Sequence, residues 1–138
     1  MEEGVIKFDL RYTPAEPLAA AAIAELDGWR RILWQLSLVG QDADRYGGYG
    51  FGNVSRRLPP LNAPAGWRRF VISGTQTGER KVLDAVHYCM IEHYDPQANR
   101  VEATGPVKPS SESLTHGMLY DLNRGIHAIL HVHSPLLW

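Results

Sequence analysis

The feature that most restricts the fold is a strand-like run that turns back on itself. Residues 87–94 carry Tyr88, Cys89, Met90, Ile91 and Tyr94. They are followed by Asp95-Pro96-Gln97-Ala98-Asn99 and then by Val101 to Thr104. Aromatic and β-branched residues on both sides of a Pro/Asn/Asp turn read as a hairpin. A hairpin joins antiparallel neighbours, so a doubly wound parallel sheet is disfavoured and a mixed α/β layer structure is expected. Two further strands are expected at 53–58 and 67–73, the second ended by Gly74, with a last apolar strand at 127–133. Ala22, Leu26, Trp29, Leu33 and Leu36 recur at spacings of four and three and predict a helix with one apolar stripe, stopped at Gly40. A second helix is expected over 113–124, with Ser110 or Ser111 as its N-cap. Residues 42–50, 59–66 and 74–78 read as loops, and 105–109 as extended chain. Residues 1–17 read as an N-terminal tail or short strand broken by Pro14 and Pro17, leaving one domain over 18–138.

Composition narrows the function classes. The net charge is -1, so no global field recruits nucleic acid or an anionic membrane. The pairs Arg30-Arg31, Arg56-Arg57 and Arg68-Arg69 are local and read as solvated or interface faces. Cys89 is the only cysteine, which excludes an internal disulfide and points to a reducing, cytoplasmic setting and a packed thiol. Met1-Glu2-Glu3-Gly4 lacks the basic and apolar regions of a signal peptide, and the alanine-rich stretch at 19–24 is too short to span a membrane.

Three segments carry chemistry. His131-Val132-His133 puts two imidazoles on one face of a strand, where both can reach one cation. Strand histidines paired with backbone or carboxylate are the plainer alternative. His127 shares their parity, but four strand residues span roughly 13 Å, so it reads as structural, as do His87 and His93. Pro109-Ser110-Ser111-Glu112 places two hydroxyls and a carboxylate at a helix start, where unpaired N–H groups and the dipole favour an anion. A simple cap is the alternative. His116 lies four residues beyond Glu112 on the same helical face, as a supporting partner behind the site or, more commonly, as a packing or capping histidine. The glycine-rich run Gly47-Gly48-Tyr49-Gly50-Phe51-Gly52-Asn53 misses the dinucleotide spacing and precedes a strand. It reads as a tight turn facing an anion, or as a plain loop.

In chain order, Gly52-Asn53-Val54-Ser55, Ile72-Ser73-Gly74-Thr75-Gln76-Thr77-Gly78, Pro109-Ser110-Ser111-Glu112 with His116, and His131-Val132-His133 resemble the class II aldolase/adducin family. The likeness covers about residues 20 to 138; it resembles the fuculose-phosphate aldolase and ribulose-phosphate 4-epimerase branch, and more closely an uncharacterised branch with this threonine–glutamine loop. It implies a three-layer α/β/α fold with a mostly antiparallel central sheet, a zinc or other divalent ion, and a homo-oligomer, commonly a tetramer. By position it implies that Gly52, Asn53, Thr75, Thr77, Gly78, Ser110 and Ser111 hold a substrate phosphate. Glu112 would then be the acid/base, and His131 and His133 two metal ligands. The implied activity is an aldolase-like lyase, or epimerase, acting on a small phosphorylated hydroxy-carbonyl substrate through a zinc-stabilised enediolate. The family's third histidine lies on a later strand, and this sequence ends at Trp138 before reaching it, so a C-terminally truncated fold is expected. The alternatives carried forward are a non-catalytic adducin-like interaction module and an inactive fragment of a longer aldolase.

Overall fold

A computed structural model describes residues 5–137. Met1 to Gly4, on which the signal-peptide reading rests, and Trp138 lie outside the described residues. The chain forms β1 (Asp9–Pro14), α1 (Ala20–Gln35), β2 (Gly40–Gln41), β3 (Gly50–Phe51), β4 (Asn53–Arg57), β5 (Phe70–Ser73), β6 (Tyr88–Asp95), β7 (Arg100–Gly105), α2 (Ser113–Leu122) and β8 (Ala128–His131). Six strands make one sheet in the order β1-β7-β6-β5-β4-β8, and β2 pairs separately with β3. The expected β6–β7 hairpin is present and antiparallel, as are all pairs in the large sheet except parallel β1–β7. The fold is therefore mixed α/β on a mostly antiparallel sheet. Of the two readings of 1–17, a strand is observed: Asp9–Pro14 forms the sheet edge and stops at Pro14, which has no N–H to continue a ladder.

Alternation in β5 divides the core. Phe70 and Ile72 join a cluster with Cys89, Ile91, Tyr94, Val101, Ala103 and the α2 residue Tyr120. Val71 joins Val54, Tyr88 and Leu83 with Ile23 and Leu26 of α1. A bulge between Ile91 and His93 resets the parity of β6, so that both Ile91 and Tyr94 reach the α2 side. Cys89 packs there as expected, its thiol pushed up to about 12 by burial.

The inward face of α1 differs from the apolar stripe. Trp29 and Leu36 are 52% and 62% exposed, whereas Ile23, Leu26, Asp27 and Arg30 are buried. Polar bonds explain the rotation. Tyr88 donates its hydroxyl to Asp27 at 3.0 Å, and Arg31 donates to the other Asp27 oxygen at 2.8 Å. Arg30 donates to the carbonyls of Thr77, Arg80 and Lys81. The arginine pairs thus split: Arg30, Arg57 and Arg68 are buried against loop carbonyls, against the expectation of solvated faces. A guanidinium offers five donors in a fixed fork, enough to satisfy several carbonyls that no strand pairs. Arg57 ties Pro60 and Leu61 of the irregular excursion to β4 in this way.

Arg30 and Trp34, whose indole donates to Gly78 O at 3.1 Å, hold the 74–81 loop against α1. Replacing Arg30 by Met strands those carbonyls. We expect a loss of about 1–3 kcal/mol in urea unfolding, together with faster amide exchange confined to residues 75–81. Unchanged exchange in that loop would show that Arg30 does not hold it.

Candidate functional site

The segments singled out from the sequence converge on one cleft of about 290 Å³, lined among others by Gly52, Asn53, Thr75, Thr77, Gly78, Ser110, Ser111, Glu112, His131 and His133. His87, His93 and His127 are not among its lining residues. His87 accepts from Asp84 N–H at 2.9 Å in a local cap, and the His93 ring packs tilted against Trp67, with centroids 4.1 Å apart.

Strand register brings the groups together. In the β4–β8 ladder Asn53 lies directly opposite His131. The chain then leaves the strand, and His133 is anchored by its N–H donating to Leu38 O at 2.9 Å. Its ring sits 4.7 Å from Tyr46 and 5.5 Å from Phe51, with Arg45 over the Phe51 ring at 4.2 Å. The two imidazole centroids are 4.9 Å apart, close enough to serve one ion. The 73–75 and 108–110 segments are stitched to each other: Thr75 N–H donates to Lys108 O, and Ser110 N–H to Ser73 O. Close approaches leave no room for a side chain at Gly52 and Gly78. Gly52 has φ +76, and a Cβ there would stand 2.6 Å from Val39 and 2.9 Å from the His131 carbonyl. A Cβ on Gly78 would run into the Gly40 carbonyl.

The α2 start differs from expectation. Glu112 itself is the N-cap residue, without a side-chain cap, so neither serine fills that position. Ser110 Oγ instead accepts from Glu112 N–H at 3.3 Å, and Ser110 O accepts from the Ser113 hydroxyl at 2.7 Å. The tight turn at 110–113 thereby turns the Glu112 side chain toward β4 and β8. Its Oε2 accepts from Asn53 Nδ2 at 3.1 Å and lies 2.5 Å from His131 Nδ1. The bond from His131 is the main cause holding the Glu112 carboxyl at about 2, below its usual range, with Asn53 adding to it against partial burial.

Beneath the cleft lies a part of the site that sequence reading largely missed. His116 is buried, with Nε2 2.5 Å from Asn53 Oδ1 and Nδ1 2.6 Å from Ser55 Oγ. Ser55 Oγ is 2.7 Å from the Tyr120 hydroxyl. Burial pushes His116 down to about 4. Helical spacing put His116 beside Glu112, but nothing in the sequence showed that Asn53 would stand between them. Lys7 also lines the cleft, and its position in an apparent tail gave no signal.

The chain belongs to the class II aldolase and adducin N-terminal domain family, whose model matches residues 41–137. No curated protein and no solved structure gives a match. Among the described residues no helix is long and apolar enough to cross a membrane.

Both shifted groups make acid destabilising. His116 takes up a proton near its ordinary 6.5 in the unfolded chain but only near 4 in the folded one. Its contribution is therefore full above 6.5 and is lost as pH falls toward 4; that of Glu112 is full above 4.5 and is lost toward 2. Urea unfolding of the wild type between pH 6.5 and 4 should show a stability loss on the order of 3 kcal/mol from His116. His116→Gln should flatten that slope. An equal slope in both proteins would remove His116 as its source.

Proposed function

We propose that this chain is a metal-dependent, aldolase-like lyase or epimerase domain acting on a small phosphorylated hydroxy-carbonyl compound, built on a three-layer α/β/α fold and working as a homo-oligomer in the cytoplasm. The single observation that carries this reading is the meeting in one cleft of Glu112, two imidazoles and the 74–78 and 110–111 loops. His131 and His133 fit a divalent cation, zinc first, as two neutral nitrogen donors beside an open cleft. The chemistry a bound cation supplies there is Lewis-acid stabilisation of negative charge on a substrate carbonyl oxygen.

The rest falls to the chain's own groups. Thr75, Ser111 and the Gly78 backbone position the phosphate, with Lys7 as the nearby cation, and so set the reacting carbon relative to Glu112. Glu112 is ionised at neutral pH and takes the proton that the substrate gives up. With its carboxyl held at about 2, it accepts only from a strongly acidified proton, which fits a C–H beside a polarised carbonyl. Asn53, whose amide is engaged by His116 and Glu112, orients the carboxylate rather than leading in phosphate binding. One observation favours the second reading, a non-catalytic adducin-like module: among the described residues, no group of three or more His, Cys, Asp or Glu side chains forms a metal cluster.

Equilibrium dialysis separates the two readings. The wild type should take up zinc weakly and pH-dependently, and His131→Ala and His133→Ala should lose that uptake. With zinc present, the phosphorylated hydroxyketone dihydroxyacetone phosphate should slowly exchange its carbonyl-adjacent hydrogen for deuterium. Glu112→Gln should reduce that rate by about 10²-fold or more. Absent zinc uptake and absent exchange in the wild type would promote the interaction module. Separately, inorganic phosphate should raise the wild-type melting temperature, and Ser111→Ala should diminish the rise. An identical shift in the variant would leave the serine with no part in anion binding.

A further inference from the structure

Hydrogen-bond direction in the chain Tyr120–Ser55–His116–Asn53–Glu112 is set from one end. Glu112 Oε2, already beside His131 Nδ1, presents an acceptor to Asn53, so the Asn53 NH₂ group faces it. Asn53 Oδ1 then faces His116, and an amide oxygen can only accept. His116 Nε2 must therefore carry the proton at this 2.5 Å contact. In a neutral ring Nδ1 is then the acceptor, so the Ser55 hydroxyl donates to it across 2.6 Å. Ser55 has spent its proton, and the Tyr120 hydroxyl donates to Ser55 Oγ across 2.7 Å. Each step admits one direction. Ser55, His116 and Tyr120 are 0–1% exposed, so no water competes for these bonds.

We propose that His116 is a positioning residue, a buried Nε2–H imidazole that fixes the Asn53 amide and, through it, the donor that holds Glu112 Oε2. The contacts from Asn53 and His131 both reach Oε2, so they hold the carboxylate by one oxygen. Without His116 the Asn53 oxygen loses its donor, and the amide is held from the carboxylate side alone. The inference deepens the reading of Glu112 as the proton-handling group and rests on it. Ser55 and Tyr120 act one step further back, by fixing the His116 tautomer.

The first test needs no substrate and no variant. Two-bond proton–nitrogen correlation on the full chain, labelled at histidine and kept metal-free at pH 7, reads the His116 ring directly. The expected signature is protonated Nε2 with Nδ1 as a hydrogen-bonded acceptor. An Nδ1–H ring, or an averaged pair of tautomers, overturns the proposal whether or not the chain is an enzyme.

The second test compares His116→Leu, which fills the space without a donor, with His116→Gln, which keeps one. The Asn53 side-chain amide protons should exchange with water about tenfold faster in the Leu variant, the scale of one lost hydrogen bond, and Gln should restore the slow rate. In the deuterium-exchange assay kcat should fall in the Leu variant, recover partly in Gln, and leave the affinity for inorganic phosphate unchanged. Equal behaviour of Leu and Gln would reduce His116 to packing and overturn the proposal. If the wild type exchanges no deuterium, the proposed function fails, and the ring signature and the Asn53 amide protons still judge the relay. If neither variant folds, the wild-type ring signature decides.

Discussion

The site depends on the register between β4 and β8, which sets Asn53 opposite His131. A slip of one residue would turn His131 to the other face of the sheet and separate it from Glu112. The register is specified from several sides. Val54 is buried in the α1 cluster while Ile129 packs toward the α2 cluster, so each strand has a distinct inner face to satisfy. Arg57 N–H donates to His127 O at 2.8 Å and closes the ladder at its far end. Gly52 permits the close approach at the near end, where any Cβ would strike Val39 and the His131 carbonyl. A strand at the sheet edge, paired on one side by β4, is thus locked by its neighbour's packing rather than by its own burial.

The opposite wall is held by polar rather than apolar contacts. The 74–81 loop cannot join the sheet, because its glycines and turns leave carbonyls without ladder partners. Arg30 and Trp34 reach out of α1 to take them, and burial disfavours the charged guanidinium in doing so. Such bonds constrain direction more strongly than apolar packing does.

Much of this was legible in the sequence. Turn residues at 95–99, the glycine after 73 and the histidine pair each encode local geometry, and the hairpin, β5 and the cleft residues follow from them. What escaped was long-range. Trp29 and Leu36 look like core residues by spacing, yet they face outward because Asp27 and Arg30 find partners near the 74–88 segment that no helical period reveals. Arg30, Arg57 and Arg68 look like solvated charges for the same reason: a carbonyl acceptor leaves no trace in composition. The strand at Asp9–Pro14 pairs in parallel with β7, and a short polar run far from its partner carries no mark of that pairing. Ser110 and Ser111 stand where a cap is usual, yet Glu112 takes the cap position because the turn is spent on directing its side chain.

The relay beneath the cleft shows how one environment keeps one group charged and the other neutral. Glu112 and His116 lie on successive turns of the same helix start, and both are pushed to lower pKa, but for different reasons. Donors from His131 and Asn53 stabilise the charged form of Glu112, whereas burial removes the charged form of His116. Asn53 links the two, because an amide can accept from a neutral ring on one side while donating to a carboxylate on the other. A carboxylate in its place would draw a proton onto His116, and an apolar residue would release both neighbours. The amide carries orientation without carrying charge. The carboxylate can therefore stay ionised at the edge of the cleft while the imidazole two hydrogen bonds closer to Tyr120 stays neutral in the core.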